Sequence, residues 1–309
     1  MEAAERAEWI ERRKNGLGGS DAAAALGLSR WKTPLRLWAE KTGLVDEPDL
    51  SDNAAVLRGS ILEPAVAKLY EMTTGRRTRE EDGPRPRFHP TIPFLFVDVD
   101  RYIDKDPPYM VGEERPKRFG DGVLEIKTTM SPRLIREWRE EPPIEAQVQA
   151  QHGLLVTGLQ WCSYAGLIGP TGFEWHDQER NEDFLKTAVE KLDAFWKLVK
   201  TKTEPAAQGP DVKLLGKLYE VIGEDATVTL PEEAEEWDEE YEALGAEIKR
   251  LEEKRDTFRA MIVQALDNAK VGILRSGRAR WNMRTTNVAE KVHKAYSFTT
   301  PYRTRIGGK

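Results

Sequence analysis

Two short apolar stretches of this 309-residue chain carry charged residues at a spacing of two. The stretch FLFVDVDRYI contains Asp98 and Asp100, and the stretch GVLEIKTT contains Glu125 and Lys127. Residues two apart in a β-strand project from the same face, so each stretch places two charges side by side. Burying such charges costs free energy unless they pair with each other or bind a ligand.

These residue types could perform metal-assisted hydrolysis of a phosphodiester. Carboxylates at neighbouring strand ends can share a hard divalent cation, because Mg²⁺ prefers oxygen ligands. A lysine beside them can orient an attacking water, so Asp100, Glu125 and Lys127 provide the chemical minimum for this reaction. Two alternatives stay open: Glu-x-Lys is also typical of a surface ion pair on an edge strand, and Asp98 or Asp121 could replace Asp100 as the upstream ligand.

The composition indicates a globular chain with a charge-rich surface, since 39% of the residues are hydrophobic and 32% are charged. No stretch approaches the roughly 18 apolar residues of a membrane span, and the N-terminal MEAAERAEWIERRKNG lacks the apolar core of a signal peptide. A single cysteine, Cys162, excludes an intrachain disulfide and a thiolate zinc cluster. We therefore expect no membrane association and a cytoplasmic location.

Charge is distributed unevenly along the chain. The net charge is −6, but residues 231–269 hold 13 acids and 5 bases, and residues 270–309 hold 10 bases and 1 acid. The basic C-terminal segment is therefore available for contact with a polyanion, and a solvated tail is the alternative.

Residues 1–205 are predicted to form one domain. Residues 1–75 carry helix signals, including AAERAEWIERRKN and the helix of TPLRLWAEKTG that Thr33 would cap, and Pro64 predicts a kink or restart in a later helix. Residues 90–205 alternate strands with helices, which predicts an α/β core with a mixed sheet covered by helices.

The remaining chain is predicted to contain a linker at 206–230 and a separate region at 231–309. Apolar residues there step by four and three along a helix of about 35 residues, which indicates pairing with another helix in this chain or in another subunit. This stripe consists of Trp237, Tyr241, Leu244, Ile248, Leu251, Phe258, Ile262 and Ala265, with Arg255 filling one gap. The stretch VGILRSGRARWNMRTT then predicts a basic hairpin that turns at Ser276–Gly277.

Two further stretches, GLGGSD and PPIEAQVQAQHGLLVTG, carry polar residues that could form part of a site. GLGGSD places glycines before Ser20 at a helix start, where free N–H groups and the helix dipole favour an anion, although Ser20 could simply cap its helix. In PPIEAQVQAQHGLLVTG, Gln147 and Gln151 lie one turn apart on one helix face, which is either a site or a solvated surface.

Five blocks in order resemble the YqaJ-type viral recombinase family: RKNGLGGSDAAAALG, RGSILEPAVAKLYE, FVDVDR, LEIKTT and AQVQAQHGLLVTG. This family includes the lambda-type 5′→3′ exonucleases, within the PD-(D/E)xK nuclease superfamily, and the resemblance runs from about Arg13 to Ile168. It implies a restriction-endonuclease-like α/β core with a mixed central sheet flanked by helices. The long C-terminal helix and the basic hairpin lie outside it.

The resemblance also implies roles for individual residues. The catalytic residues it implies are Lys127, Glu125, Asp100 and Gln147. The metal ligands it implies are Glu63, Asp100, Glu125 and the carbonyl of Ile126. Arg13 and Ser20 match residues that hold the 5′-terminal phosphate of DNA. Further candidates are Asp98, Gln151 and Arg58.

The activity implied by the resemblance is that of a Mg²⁺-dependent deoxyribonuclease, with Mn²⁺ as an alternative and two ions per site. Such an enzyme degrades duplex DNA ends 5′→3′ and leaves 3′ overhangs for a single-strand annealing recombinase. A homo-oligomer, as a ring, trimer or tetramer, is implied too, in the cytoplasm of a bacterial host if the chain is encoded by a phage or prophage. The alternatives are another PD-(D/E)xK nuclease, specific for single strands or DNA structures, and a non-enzymatic phage DNA-binding or assembly protein on the same fold.

Overall fold

A computed structural model of the chain describes residues 13–50, 52–82, 85–104, 120–219, 227–277 and 280–283. The chain divides into two compact units, Met1–Leu218 and Tyr219–Lys309. The predicted N-terminal helix before Arg13 and the basic tail after Met283 lie outside the described residues.

The first unit is built around a five-stranded mixed sheet. The described strands of the first unit, in chain order, are β1 (Thr78–Arg79), β2 (Arg87–Phe88), β3 (Phe96–Val97), β4 (Arg101–Ile103), β5 (Gly122–Thr129), β6 (Trp161–Ile168) and β7 (Gly172–Glu179). The sheet has the order β1–β4–β5–β6–β7, in which only the β5–β6 pair is parallel. Strands β2 and β3 form a separate antiparallel ribbon. The predicted mixed sheet is confirmed.

Helices flank this sheet, as predicted. They are α1 (Gly19–Ala25), α2 (Pro34–Lys41), α3 (Ala54–Thr74), α4 (Pro132–Glu140), α5 (Ile144–Thr157), α6 (Glu182–Thr201) and α7 (Val212–Leu218). Local sequence sets several of their ends: the Thr33 hydroxyl accepts the Arg36 N–H at the start of α2, and Gly158, at φ 77°, ends α5.

The two faces of the sheet pack against different helices. On one face, Val66 and Tyr70 of α3 pack with Leu124 and Ile126 of β5. On the other face, Val123 joins a larger core with residues of α1, α2, α5 and α6. Because alternate residues of a strand point to opposite faces, Glu125 and Lys127 project toward the larger core.

The stretch FLFVDVDRYI does not form one strand, which corrects the prediction from its composition. Its first half contributes β3, which pairs with β2, and its second half contributes β4, which pairs with β5. The turn between them contains Asp98 and Asp100. The stretch divides because the chain changes partner strands there, which propensity alone does not specify.

Pro64 does not make helix α3 restart, so that alternative is wrong, and the predicted kink stays a prediction. The helix runs from Ala54 to Thr74 with Pro64 inside it. Pro64 removes the backbone hydrogen bond to the carbonyl of Ser60, but both residues are exposed, so water can satisfy that carbonyl.

The first unit extends beyond residue 205, which corrects the predicted start of the linker. Buried Asp211 accepts a hydrogen bond from the Thr33 hydroxyl at the start of α2. Leu214 of α7 is buried in the larger core. Residues 206–218 therefore belong to the first unit.

The second unit contains the predicted long helix and hairpin. Helix α8 (Glu233–Leu266) has 34 residues. Strands β8 (Val271–Ile273) and β9 (Arg280–Asn282) pair antiparallel, with Gly277 at φ 69° in the turn. None of the helices in the described segments is both long enough and apolar enough to cross a bilayer.

The packing of α7 generates a stability prediction. We expect Leu214→Ala to lower the free energy of unfolding of the first unit by about 2–4 kcal/mol, because it leaves a cavity in the core. Val212→Ala, at an exposed position of the same helix, should change it by less than about 0.5 kcal/mol. Urea unfolding followed by tryptophan fluorescence measures both, and equal effects would mean that α7 does not belong to this core.

Candidate active site

The candidate site lies where strand β5 extends beyond its pairing with the neighbouring strand β4. Strand β4 begins at Arg101, opposite Leu124, whereas β5 continues to Thr129 and stays paired with β6 throughout. On the edge that β4 no longer covers, the Asp100 carboxylate accepts the Ile126 N–H, with 2.7 Å between Oδ2 and N. A carboxylate thus takes the place of a strand partner.

The Ile126 carbonyl lies on the same edge as Asp100. The N–H and C=O of one strand residue point toward the same neighbouring strand. Because the Ile126 N–H reaches Asp100, the carbonyl of Ile126 is directed to that side too. The predicted backbone ligand and the predicted upstream carboxylate therefore share one edge.

Glu125 and Lys127 form a hydrogen-bonded ion pair on one face of β5. The Glu125 residue is 3% exposed, whereas the Lys127 side chain is 37% exposed. The carboxylate is therefore withdrawn from water, while the lysine lies at the mouth of the site.

Glu63 approaches from helix α3. An added Cβ at Gly59, one turn earlier, would lie 3.7 Å from the Thr128 hydroxyl, so this helix face meets the end of β5. Burial, followed by the negative charge of Asp100, raises the pKa of the Glu63 carboxyl. Arg58 is five residues before Glu63, about 140° around the helix, and thus lies on a different face.

Burial disfavours the charged forms of the carboxyl groups in the site. Burial raises the pKa of Glu125 to about 7; Lys127 opposes this shift, and Asp100 and Glu63 add to it. Burial also raises the pKa of Asp100, against Lys127 and the Ile126 N–H. Burial lowers the pKa of Lys127, but Glu125 and Asp100 outweigh it and raise that pKa overall. Arg101 and Arg85 also lower the pKa of Glu63 and Asp100, but burial outweighs them.

This donor set fits a hard divalent cation. Three carboxylates and a backbone carbonyl offer only oxygen ligands, which Mg²⁺ and Mn²⁺ accept. The raised carboxyl pKa values show that burial disfavours the charged forms, which a bound cation would stabilise. In the segments that the structure covers, no three His, Cys, Asp or Glu side chains already converge as a metal cluster. The present donors, the Ile126 N–H and Lys127, each contact one oxygen of Asp100 and Glu125. An ionised carboxylate has further lone pairs that could bind a cation.

Gln147 reaches the same face of the sheet through two residues that the sequence did not single out. Tyr164 lies beside Glu125 on β6, and its hydroxyl donates to Gln178 of β7. The Gln178 amide donates to the Gln147 Oε1 at 3.4 Å, and the Gln147 Nε2 donates to the Pro142 carbonyl at 2.7 Å. No local signal marks Tyr164 or Gln178, because only the strand register brings them there.

Gln151 is buried away from this group. Its Nε2 donates to the Glu179 carbonyl at 2.8 Å, and its Oε1 accepts the Asn181 N–H at 2.9 Å. Both side-chain groups thus fasten the end of β7 to the start of α6, so we correct the expectation that Gln151 faces the site with Gln147.

Arg13 and Ser20, predicted to act together, are in contact. The Arg13 Nη2 lies 3.3 Å from the Ser20 hydroxyl and 3.1 Å from the buried Asp21 carboxylate, which also binds Lys41. The alternative that Ser20 caps its helix is wrong, because Gly18 is the N-cap and Asp21 accepts the Gly18 N–H. Ser20 stands exposed in the first turn of α1.

The two rivals of Asp100 lie elsewhere. Asp121 pairs with Arg79, 2.7 Å from its Nη2, before β5 begins. Asp98 is half-buried in the turn after β3, and the carboxylate that bonds to β5 is that of Asp100. Arg85, which the sequence did not single out, lowers the pKa of both Asp100 and Glu63 and therefore lies near them.

The buried charge at Glu125 generates a second prediction. Because its folded pKa is raised to about 7 from 4.5, its contribution to stability is present below pH 4.5 and is lost as the pH rises to 7. In EDTA at pH 8, Glu125→Gln should therefore increase the free energy of unfolding by about 1–3 kcal/mol, and the gain should shrink toward pH 5. Thermal unfolding at both pH values measures it, with Glu190→Gln on the exposed side of α6 as control. A loss of stability at pH 8 would contradict the raised pKa of Glu125.

Comparison with known proteins adds family membership to this geometry. Residues 8–160 match the model of the YqaJ-like viral recombinase domain. The chain is 32% identical over 288 residues to YqaJ of Bacillus subtilis (strain 168), covering 91% of this chain and 85% of that protein. Two solved structures are similar to this chain. An alkaline exonuclease (LHK-Exo) from Laribacter hongkongensis has 21% identity and a TM-score of 0.49, and the match covers 63% of this chain and 93% of that one. A phage related exonuclease from Haemophilus somnus 129PT has 14% identity and a TM-score of 0.46, and the match covers 60% of this chain and 94% of that one. The chain belongs to the YqaJ-like viral recombinase family.

Proposed function

We propose that this protein is a metal-dependent deoxyribonuclease that degrades duplex DNA from its 5′ ends. The observation that carries the proposal is that Asp100 binds β5 at Ile126, between Glu125 and Lys127, where β4 no longer pairs with β5. Carboxylates beside a lysine are the groups that phosphodiester hydrolysis requires, and membership of a viral recombinase family is consistent with DNA as the substrate.

Each residue of the site has a proposed role. Glu63, Asp100, Glu125 and the Ile126 carbonyl would hold one or two Mg²⁺ ions, or Mn²⁺. When bound, the metal polarises the scissile phosphate and lowers the pKa of the attacking water. Lys127, at the mouth of the site, holds and orients that water by hydrogen bonding, and Gln147 contacts the phosphate from helix α5.

Arg13 and Ser20 are proposed to hold the 5′-terminal phosphate. The exposed Ser20 hydroxyl and the adjacent Arg13 guanidinium can both donate hydrogen bonds to phosphate oxygens. Anchoring that end gives the reaction its 5′→3′ direction and leaves a 3′ single-stranded overhang. A single-strand annealing recombinase is the partner that would use this product, and a homo-oligomer that surrounds the DNA would keep the enzyme on its substrate.

The activity itself is the third prediction. With Mg²⁺, the protein should degrade linear 5′-phosphorylated duplex DNA and leave closed circular DNA intact. Asp100→Ala, Glu125→Ala and Lys127→Ala should each slow degradation by about 100-fold or more, because each removes a group that acts at the reacting phosphate. Release of acid-soluble nucleotides from labelled DNA measures the rates.

Asp121→Ala is the matched control, since this carboxylate pairs with Arg79 outside the site. Its rate should stay within about twofold of wild type. Equal rates in all four variants and wild type would refute the assignment of the site. Cleavage of closed circles would instead indicate a structure-specific nuclease, and absence of Mg²⁺- or Mn²⁺-dependent cleavage would indicate a non-enzymatic DNA-binding protein.

End recognition is the fourth prediction. Ser20→Ala should reduce the preference for 5′-phosphorylated over 5′-hydroxyl duplex by about tenfold, because one hydrogen bond to a charged group is lost. Ser60→Ala, at an exposed serine of α3, should leave the preference unchanged. Initial rates on the two substrates give the ratio, and an unaltered ratio in Ser20→Ala would remove Ser20 from the proposed phosphate site.

A further inference from the structure

Helix α8 displays an apolar stripe to solvent. We define the α8 stripe as Trp237, Tyr241, Leu244, Ile248, Leu251, Arg255, Phe258, Ile262 and Ala265. The large apolar residues from Trp237 to Phe258 are 49% to 68% exposed. Their steps of four and three continue for four heptads, about 42 Å of helix, which is the pattern of a coiled-coil seam.

We propose that the α8 stripe is the interface between two copies of this chain, whose α8 helices pair antiparallel as a two-stranded coiled coil. In this pairing Ile248 packs against the partner's Leu251, and Tyr241 packs against the partner's Phe258. The proposal is independent of the nuclease activity proposed above, because it uses no residue of the candidate active site. It is also separate from the homo-oligomer proposed to surround DNA, because a two-fold helix pair joins only two chains and does not by itself form a ring.

The distribution of charge along α8 selects a second copy in this orientation. Residues 232–247 contain nine acids and no base, whereas residues 248–266 contain five bases and three acids. A parallel dimer would set acidic half against acidic half. An antiparallel dimer sets each acidic half against the partner's basic half, so the chain complements itself only when the helices run in opposite directions.

The positions beside the seam support the same orientation. With Ile248 opposite the partner's Leu251, Glu247 meets the partner's Lys254, and by symmetry Lys254 meets the partner's Glu247. Asp238 likewise meets the partner's Arg259. All of these contacts join opposite charges, which is how residues flanking a coiled-coil seam set the orientation of a pair.

A parallel dimer in register would instead place like charges opposite each other. It would place Glu247 against the partner's Glu252, and Lys254 against the partner's Arg259, so both contacts would repel. Arg255, which lies within the stripe, would face the partner's Arg255 in the seam. In the antiparallel pair it faces the partner's Leu244, within the acidic half of that helix.

The first test, our fifth prediction, reverses single charges in the full-length protein. Glu247→Lys should weaken dimerisation by about tenfold, because it creates two symmetry-related Lys–Lys contacts, and Lys254→Glu should do the same. The double variant should restore the wild-type dimer. Glu253→Lys, on the helix face opposite the stripe, is the matched control and should have no effect. Sedimentation over a concentration series, without DNA or metal, measures the dissociation constants.

These variants are expected to fold, because the positions are exposed. Glu247 already binds Arg250 in its own helix, with 2.6 Å between Oε1 and Nη2, so circular dichroism should show that the helix persists in Glu247→Lys. A parallel dimer predicts the reverse sign, since Glu247→Lys would then attract Glu252 and tighten association. Tighter association, or an assembly that none of the charge reversals alters, would overturn the proposal.

The second test traps the orientation covalently. Full-length chains carrying Tyr241→Cys and chains carrying Phe258→Cys, distinguished by size tags, are mixed and oxidised. The antiparallel pair predicts a disulfide between the two kinds of chain and little within either kind. The native Cys162 is buried and should not react, which wild type alone verifies.

The outcomes of this test are distinct. In a parallel dimer, residue 241 would lie 17 residues, or about 26 Å, from residue 258 of the other helix, far beyond disulfide reach, so each variant would link only to itself. That pattern would overturn the proposal. Absence of any cross-link would do so too, and would indicate that the stripe binds another protein or another part of this chain.

Discussion

The unequal length of two neighbouring strands is the constraint on which the candidate site depends. Strand β4 begins at Arg101, so it does not pair with the last part of β5, whereas β6 pairs with β5 through Thr129. The β5 backbone there needs hydrogen-bond partners, and the Asp100 carboxylate supplies one to Ile126. The start of β4 thus places Asp100 beside the part of β5 that carries Glu125 and Lys127.

This arrangement has an electrostatic cost in the absence of a ligand. Burial raises the pKa of Glu63, Asp100 and Glu125. Lys127 opposes all three shifts, and Arg85 and Arg101 oppose those of Glu63 and Asp100, but burial prevails. The free energy that offsets this cost comes from the two apolar clusters that cover the faces of the sheet. The cation proposed to bind here would reduce this cost by stabilising the ionised carboxylates.

The two units of the chain treat charge and apolar surface in opposite ways. The first unit buries ionised groups in pairs, such as Asp21 with Lys41 and Arg76 with Asp177, inside a packed core. The second unit leaves its apolar stripe exposed on a helix whose acids and bases occupy different halves. The ion pairs of the first unit form within one chain. The acidic and basic halves of α8 would instead pair with those of a second, antiparallel α8 helix, as proposed above.

The sequence by itself determined the features that depend on neighbouring residues. Thr33 and Gly158 set helix ends, and strand alternation put Glu125 and Lys127 on one face, because caps and side-chain periods are local. Tertiary structure decided the rest. It divided FLFVDVDRYI between two sheets, and it buried Gln151 beneath the end of β7 although helix periodicity aligned it with Gln147. Which strand pairs with which, and what covers a given helix face, depends on residues far apart in the chain, and no local pattern encodes them.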